Sequence, residues 1–382
     1  MISAENAREQ VNIIRQRVSA PVNMNFFCHE PVDADPAREA GWKARLRSIT
    51  RNSGSIRPRP SPPPIARHLM RPCAPSWRRL KPEVVSFHFG LPDQALVRRV
   101  KAAGSIVMSS ATIVKEAIWL EENGADVIIA QGAEEGGHRG MFLTDNIAQQ
   151  PGTFALVPQV VDAVKVPVIA AGGIADGRGI AAAFALGASG VQIGSAYLRC
   201  PESQVIALAR TALAQAHDDS TVITNVMTGR PARGVANRVM REVGPISPDA
   251  PAFPHAATAL GPLEDGCRKA RQGRFHQPVG RAGSADGSRN AGGRVDAFAR
   301  GGLRWLGSVH WAANCCSVRR FVALDVQMLG GQRSIMRGHL LVVLPGDGSA
   351  ALSRGARTFP PFPGGLWPGT GTHSRGQVKL AR

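Results

Sequence analysis

The sequence predicts an α/β chain of the TIM (β/α)8-barrel type, incomplete, with about six recognisable strands. Three observations point there. Strand-like and helix-like segments alternate, as parallel connections require. The strands are short and almost wholly apolar, as expected when both faces are buried. Gly-rich and polar residues follow several different strands, and no GxGxxG opens a first helix, which favours a barrel over a dinucleotide-binding sheet.

Residues 5–18 carry Val11, Ile14 and Val18 at helical spacing, with Glu5 and Glu9 early and Arg15 and Arg17 late. Pro21 punctuates, and Val22–Phe27 is the first strand. Val84–Phe89 is the second, closed by Gly90. An amphipathic helix over 92–102 ends at Gly104. Ile106–Ser109, a helix over 113–123, Asp126–Ala130, a helix over 154–164, Pro167–Ala171, a helix over 177–186 and Gly190–Ile193 complete the rhythm. Beyond it, 202–217 and 231–241 read as helical, and Phe253, Pro254 and His255 fall in a loop with no assigned role.

The formal net charge of +18 invites a nucleic-acid reading, but its distribution argues against one. Residues 47–79 hold eight Arg and no acid, a net of +8, and residues 265–382 hold sixteen Arg, two Lys and five acids, a net of +13. Taken from +18, these leave −3 for the part that carries the motifs. The arginines are not interleaved with aromatics. The six cysteines show no CxxC or zinc spacing, so no metal site is expected. No 18-residue apolar run and no signal-peptide pattern occur, so the default expectation is a cytoplasmic protein.

Three loops carry the chemistry. In Gln131–Gly140, four glycines around His138 let backbone approach a ligand and present an imidazole that could take a proton or hold a developing anion. The alternative is a surface histidine in a flexible loop. Gly172 and Gly173 follow one buried strand; Gly194 and Ser195 follow the next. Two such Gly-rich ends, one helix apart, are the usual phosphate site of a barrel, against the plainer reading of tight strand–helix corners. His88 either faces the pocket or is a satisfied core residue, and His29 could approach a substrate. Arg139 either favours an anionic substrate or is solvated.

The runs QGAEEGGHRG and AAGGIADGRGIAAAFALGASGVQIGSAYL, with VNMNFFCH and KPEVVSFHFGLP, resemble the nitronate monooxygenase family, formerly 2-nitropropane dioxygenases, over 1–46 and 80–262. The resemblance implies an FMN-binding barrel. It makes His138 the catalytic histidine beside the nitro or nitronate group, able to take the α-proton of a neutral nitroalkane. It places Asn25, Ser109 and Gln131 along the flavin or substrate pocket, and Gly172, Gly173, Gly194 and Ser195 at the FMN phosphate. The reaction implied is oxidation of an alkyl nitronate, such as propionate 3-nitronate, by dioxygen to a carbonyl compound and nitrite.

The resemblance also implies two strands before 5–18, one bearing an Ala-Pro-Met turn, which this sequence does not show. On this reading 1–263 is a partial FMN-binding barrel domain interrupted by an Arg/Pro-rich insert at 47–79, whose seven prolines oppose the helix expected before the second strand. Residues 264–382 form a low-pattern Arg/Gly-rich tail, with Phe321–Val326 and Leu340–Leu344 as its candidate strands. The composition of both tracts fits disorder or translation in a shifted reading frame. The other frames of the coding DNA test the second idea, which fails if none restores family-like sequence. Two alternatives to the enzyme stand: a non-functional remnant, and an FMN-dependent NAD(P)H:quinone or enoyl-thioester reductase on the same scaffold.

Overall fold

A computed structural model describes residues 4–17, 20–51, 80–199, 203, 205–261, 318–327 and 339–345. Most of the 47–79 tract and most of the tail therefore lie outside the described residues.

Helix α1 (Ala4–Arg17) precedes β1 (Asn23–Phe27). Then come α2 (Pro36–Arg51), β2 (Val84–His88), α3 (Gln94–Ala102), β3 (Ile106–Ala111), α4 (Val114–Glu122) and β4 (Val127–Gln131). After the Gly-rich loop follow α5 (Thr153–Ala163), β6 (Val168–Ala171), α6 (Gly177–Ala185), β7 (Gly190–Gln192) and the short α7 (Ser195–Leu198). Local chemistry sets the ends of these helices. Asp93 accepts from the Leu96 N–H at the start of α3, and Asp176 from Arg178 and Gly179 at the start of α6. Gly104 and Gly187 follow α3 and α6 with φ of +87° and +91°, which glycine adopts at no steric cost.

Strands β1, β2, β3, β4, β6 and β7 pair in parallel, in that order. This is an incomplete (β/α)8 barrel of six parallel strands. Two further strands come from the tail, β10 (Val318–Gln327) and β11 (His339–Pro345), covering both candidate segments there. β10 runs parallel to β1, β11 turns back antiparallel to β10, and β11 comes alongside β7. A hairpin thus stands where two parallel strands of a full barrel would be.

Strand alternation separates two cores. Val84, Met108, Val127, Ile129, Ile169 and Ala171 fill the barrel interior. Val85, Phe87 and Val107 face outward onto α1 and α3, and Ile128, Ala130, Ala170 and Val191 onto α4, α5 and α6. Each fully buried Leu, Ile or Val contributes about 1.5–3 kcal/mol relative to exposure.

Helix α2 reaches Arg51 and so runs into the Arg/Pro-rich tract before its first proline. Its buried Trp42, Leu46 and Ile49 pack against Val226, Met227, Val239, Met240 and Val243. That second layer contains α8 (Ala207–Gln215), β8 (Thr221–Thr224), β9 (Ala232–Val235) and α9 (Arg238–Val243). With β5 (Gly137–His138), β8 and β9 make a small antiparallel sheet in the order β5-β9-β8. The helix expected over 231–241 is thus a strand followed by a shorter helix. Pro231 lacks an N–H and Gly234 is a poor helix former, whereas Ala232 and Arg233 pair with β5 on one side and β8 on the other. Asn237, whose side chain accepts from the Met240 N–H, starts α9 afresh.

Candidate active site

The C-terminal ends of β1, β2, β3 and β4 bring Phe27, His88, Ser110 and Gln131 to one mouth, and β5 lays His138 across it. His88 is on the inward parity of β2. Its Nε2 lies 3.1 Å from the His138 carbonyl oxygen, which can only accept, so Nε2 carries the proton. Nδ1, 3.3 Å from Ser110 Oγ, is left as acceptor. Burial, then the neighbouring His138, pushes His88 down to about 3, so it is neutral. His88 therefore does both things the sequence left open: it lines the site and is satisfied there.

His138 Nε2 lies 3.0 Å from Thr228 Oγ1. The Thr228 hydroxyl donates to the Arg230 carbonyl at 3.2 Å, so its oxygen accepts from His138. That bond selects the Nε2–H tautomer and leaves the Nδ1 lone pair as the basic site. Burial first, then the charge of Arg230, lowers His138 to about 4. The ring is caged by aromatic neighbours: Phe253, Phe27 and Phe89 lie at centroid distances of 5.3, 5.8 and 6.0 Å. His29 packs edge-on to Phe253 at 4.8 Å and is lowered to about 4 by burial and then by Arg230.

Arg139 is neither solvated nor turned to a ligand. It is fully buried, donating to Gln150 Oε1 at 2.7 Å and to the carbonyls of Gly132 and Gln131 at 2.9 Å each. This fork ties the Gly-rich loop to the barrel. Gln131 does similar work: its Nε2 donates to the His138 carbonyl and its Oε1 accepts from the Gly140 N–H. Both residues hold His138 in place through backbone.

Asn25 is on the inward face of β1 and accepts from Ser86 Oγ at 3.1 Å, while Ser86 accepts from Asn23 Nδ2 at 2.8 Å. Ser109 has the opposite parity. It is buried toward α3, and its hydroxyl donates to the Phe87 and Gly90 carbonyls at 3.1 and 2.9 Å. The serine of β3 that reaches the site is Ser110.

The two glycine-rich ends sit side by side because β6 and β7 pair with Ala171 opposite Gln192. Gly172 and Gly173 have φ of +113° and +67°. A Cβ at Gly172 would lie 2.7 Å from Thr153 Oγ1 and 3.0 Å from the Glu135 nitrogen, so the turn admits glycine alone. Gly173 and Gly194 are exposed, and a Cβ at Gly194 would meet nothing within 4 Å. Backbone is therefore exposed at Gly173, where a Cβ would touch only Glu134, and open at Gly194, with half-buried Ser195 beside it and Gly172 buried behind, and this pair of ends fits a phosphate. Beneath the ends lies Glu135. Its Oε1 accepts from Gln192 Nε2 at 3.2 Å, and its Oε2 is buried without a partner. Burial raises it to about 7 against the opposing charge of Arg139. Among the described residues no His/Cys/Asp/Glu group could hold a metal, and no helix is long and apolar enough to cross a membrane.

The sequence reading did not find Thr228, Arg230, Phe27, Phe89 or Phe253 as site residues. Thr228 and Arg230 lie between β8 and β9, two strands it did not identify. In sequence the aromatics look like ordinary core residues; only the tertiary fold groups them around His138.

A parallel barrel with a glycine cradle at adjacent strand ends, and a neutral histidine held over its mouth, is the arrangement of a barrel enzyme that binds a phosphate-bearing ligand at its C-terminal face. Within that class the chain belongs to the nitronate monooxygenase family, whose family model matches residues 1–290. A curated nitronate monooxygenase of Pseudomonas aeruginosa is 40% identical over 264 residues, 69% of this chain and 75% of the relative. A nitroalkane oxidase from Streptomyces ansochromogenes superposes with a TM-score of 0.72 at 29% identity, covering 80% of this chain and 87% of that one. A point mutant of FabK from Thermotoga maritima reaches a TM-score of 0.56 at 24% identity, covering 80% of this chain and 82% of that one, a likeness of fold alone. Family membership brings FMN as the cofactor and nitronate oxidation as the activity, and does not favour the reductase or remnant alternatives.

Proposed function

We propose that this mouth oxidises alkyl nitronates, propionate 3-nitronate among them, with dioxygen, yielding a carbonyl compound and nitrite. The observation that carries the reading is His138: neutral, fixed by Thr228 as the Nε2–H tautomer, with Nδ1 available at the mouth of a glycine-cradled barrel. FMN, its phosphate held by Gly172, Gly173, Gly194 and Ser195, supplies the electron transfer when bound. The protein's part is positional and electrostatic. His138 Nδ1 takes the α-proton of a neutral nitroalkane. A preformed nitronate has already lost that proton, and there His138 only orients the substrate. Phe27, Phe89 and Phe253 exclude water around the ring.

Nitrite release from ethyl nitronate without NAD(P)H tests the reading. NAD(P)H oxidation with a quinone or an enoyl thioester, and no nitrite from any nitronate, would overturn it. In His138→Asn, nitroethane turnover is expected to fall about 10²-fold or more. Ethyl nitronate turnover should fall less than about tenfold, since no proton is abstracted. Equal losses on both substrates would remove the base assignment.

A further inference from the structure

Burying a guanidinium is unfavourable unless a counter-charge accompanies it. Arg230 is half-buried and has no ion-pair partner: among the described residues no carboxylate lies within 4 Å of it. Its Nη2 donates to the Met141 carbonyl at 2.8 Å, and its Cζ sits 4.0 Å from the centroid of the Phe89 ring. Glu116, the one carboxylate that offsets its charge, is already engaged by Thr112, Phe142 and Leu143. A guanidinium carries five N–H donors. None of the Arg230 nitrogens is among the buried atoms without a partner, so the remaining donors reach solvent at the mouth. Around it stand Phe89 and the neutral His29, His88 and His138, each lowered in part by Arg230 itself.

We infer that Arg230 is the anion anchor of this site and sets its preference for the nitronate over the neutral nitroalkane. The inference deepens the nitronate reading and rests on it. A nitronate group is planar, with its charge shared by two oxygens, and the guanidinium fork matches that shape with two parallel donors. A cation partly desolvated against Phe89 gains more from an arriving anion than a fully solvated one would. A neutral nitro group offers the same oxygens without the charge and gains much less. Arg230 replaces Arg139 as the cation of the site, because Arg139 has spent its donors on the loop beneath. A carboxylate on the substrate has the same chemistry, so substrates with and without one separate the two sources.

The test compares the FMN-loaded wild-type chain with Arg230→Gln and Arg230→Lys. Oxygen uptake is measured with ethyl nitronate, propionate 3-nitronate and nitroethane, and calorimetry follows binding of nitrate, a planar inert anion. In Arg230→Gln, KM for both nitronates and Kd for nitrate should rise about 10- to 100-fold, and KM for nitroethane less than about threefold. Arg230→Lys, which keeps charge but not the fork, should fall between. Nitrate affinity and nitronate KM unchanged in a folded Arg230→Gln would overturn the inference, as would an effect confined to propionate 3-nitronate. Should Arg230→Gln lose its fold, wild-type nitrate affinity in Arg230→Lys overturns it equally. Nitrate bound by the wild type without nitronate turnover would sink the functional reading and leave the anchor standing.

Discussion

Three histidines converge on the barrel mouth, and burial keeps all three neutral at pH 7: His29 and His138 are lowered to about 4 and His88 to about 3, from an ordinary 6.5. The unfolded chain takes these protons near pH 6.5, and the folded chain only near 3 to 4. Their contribution to stability is therefore present above about 6.5 and lost as pH falls through the window down to about 4. Glu135 works the other way: raised to about 7 from 4.5, it holds a proton in the folded state that the unfolded state releases across that range. Three groups outweigh one, so Tm should drop between pH 6 and pH 4.5. A Tm that stays level or rises over that interval, by scanning calorimetry, would contradict the burial described for these rings. His138 was legible because four glycines frame it. Arg139 stood out in sequence as a candidate cation of the site and Arg230 did not, because sequence shows a guanidinium and not whether its donors are already used.

The Gly-rich loop and the two strand ends act as one element. Arg139 and Gln131 lock the loop from below, Glu134 accepts from the Thr153 N–H and hydroxyl to start α5, and Gly172 closes over that same hydroxyl. Gly172→Ala should therefore cost about 1–3 kcal/mol through its positive φ and displace Thr153. Since the cradle shifts with it, FMN affinity should fall by about tenfold or more. Wild-type Tm and FMN affinity in this variant would mean that the turn is not built as described. The alternating helices and parallel strands were legible throughout 81–193, where helical periodicity and apolar runs are clean. The small sheet was not. β5 is two residues long, β8 and β9 are four each, and Arg233 on β9 is held by the Ala133 carbonyl, a partner 100 residues away. Such strands owe their existence to the tertiary contacts they make over the mouth.

At the scale of the molecule, the described barrel rests on six parallel strands flanked by a hairpin that joins β1 on one side and approaches β7 on the other. The sequence located that hairpin's two strands by their apolar runs but not their place, since a non-local partner leaves no periodic signal. The basic charge sits mostly outside the motif-bearing part, so the electrostatics that matter for the site are local: Arg230, Glu135 and three neutral histidines. The central claim is that this mouth holds FMN. Its most direct test is flavin content. The chain of 382 residues is purified by gel filtration with FMN present, then freed of unbound flavin, and its visible spectrum and FMN per chain are recorded. The expected result is a folded peak with near-stoichiometric FMN and a flavin spectrum perturbed from that in water. A folded peak that carries no flavin after reconstitution would contradict the account.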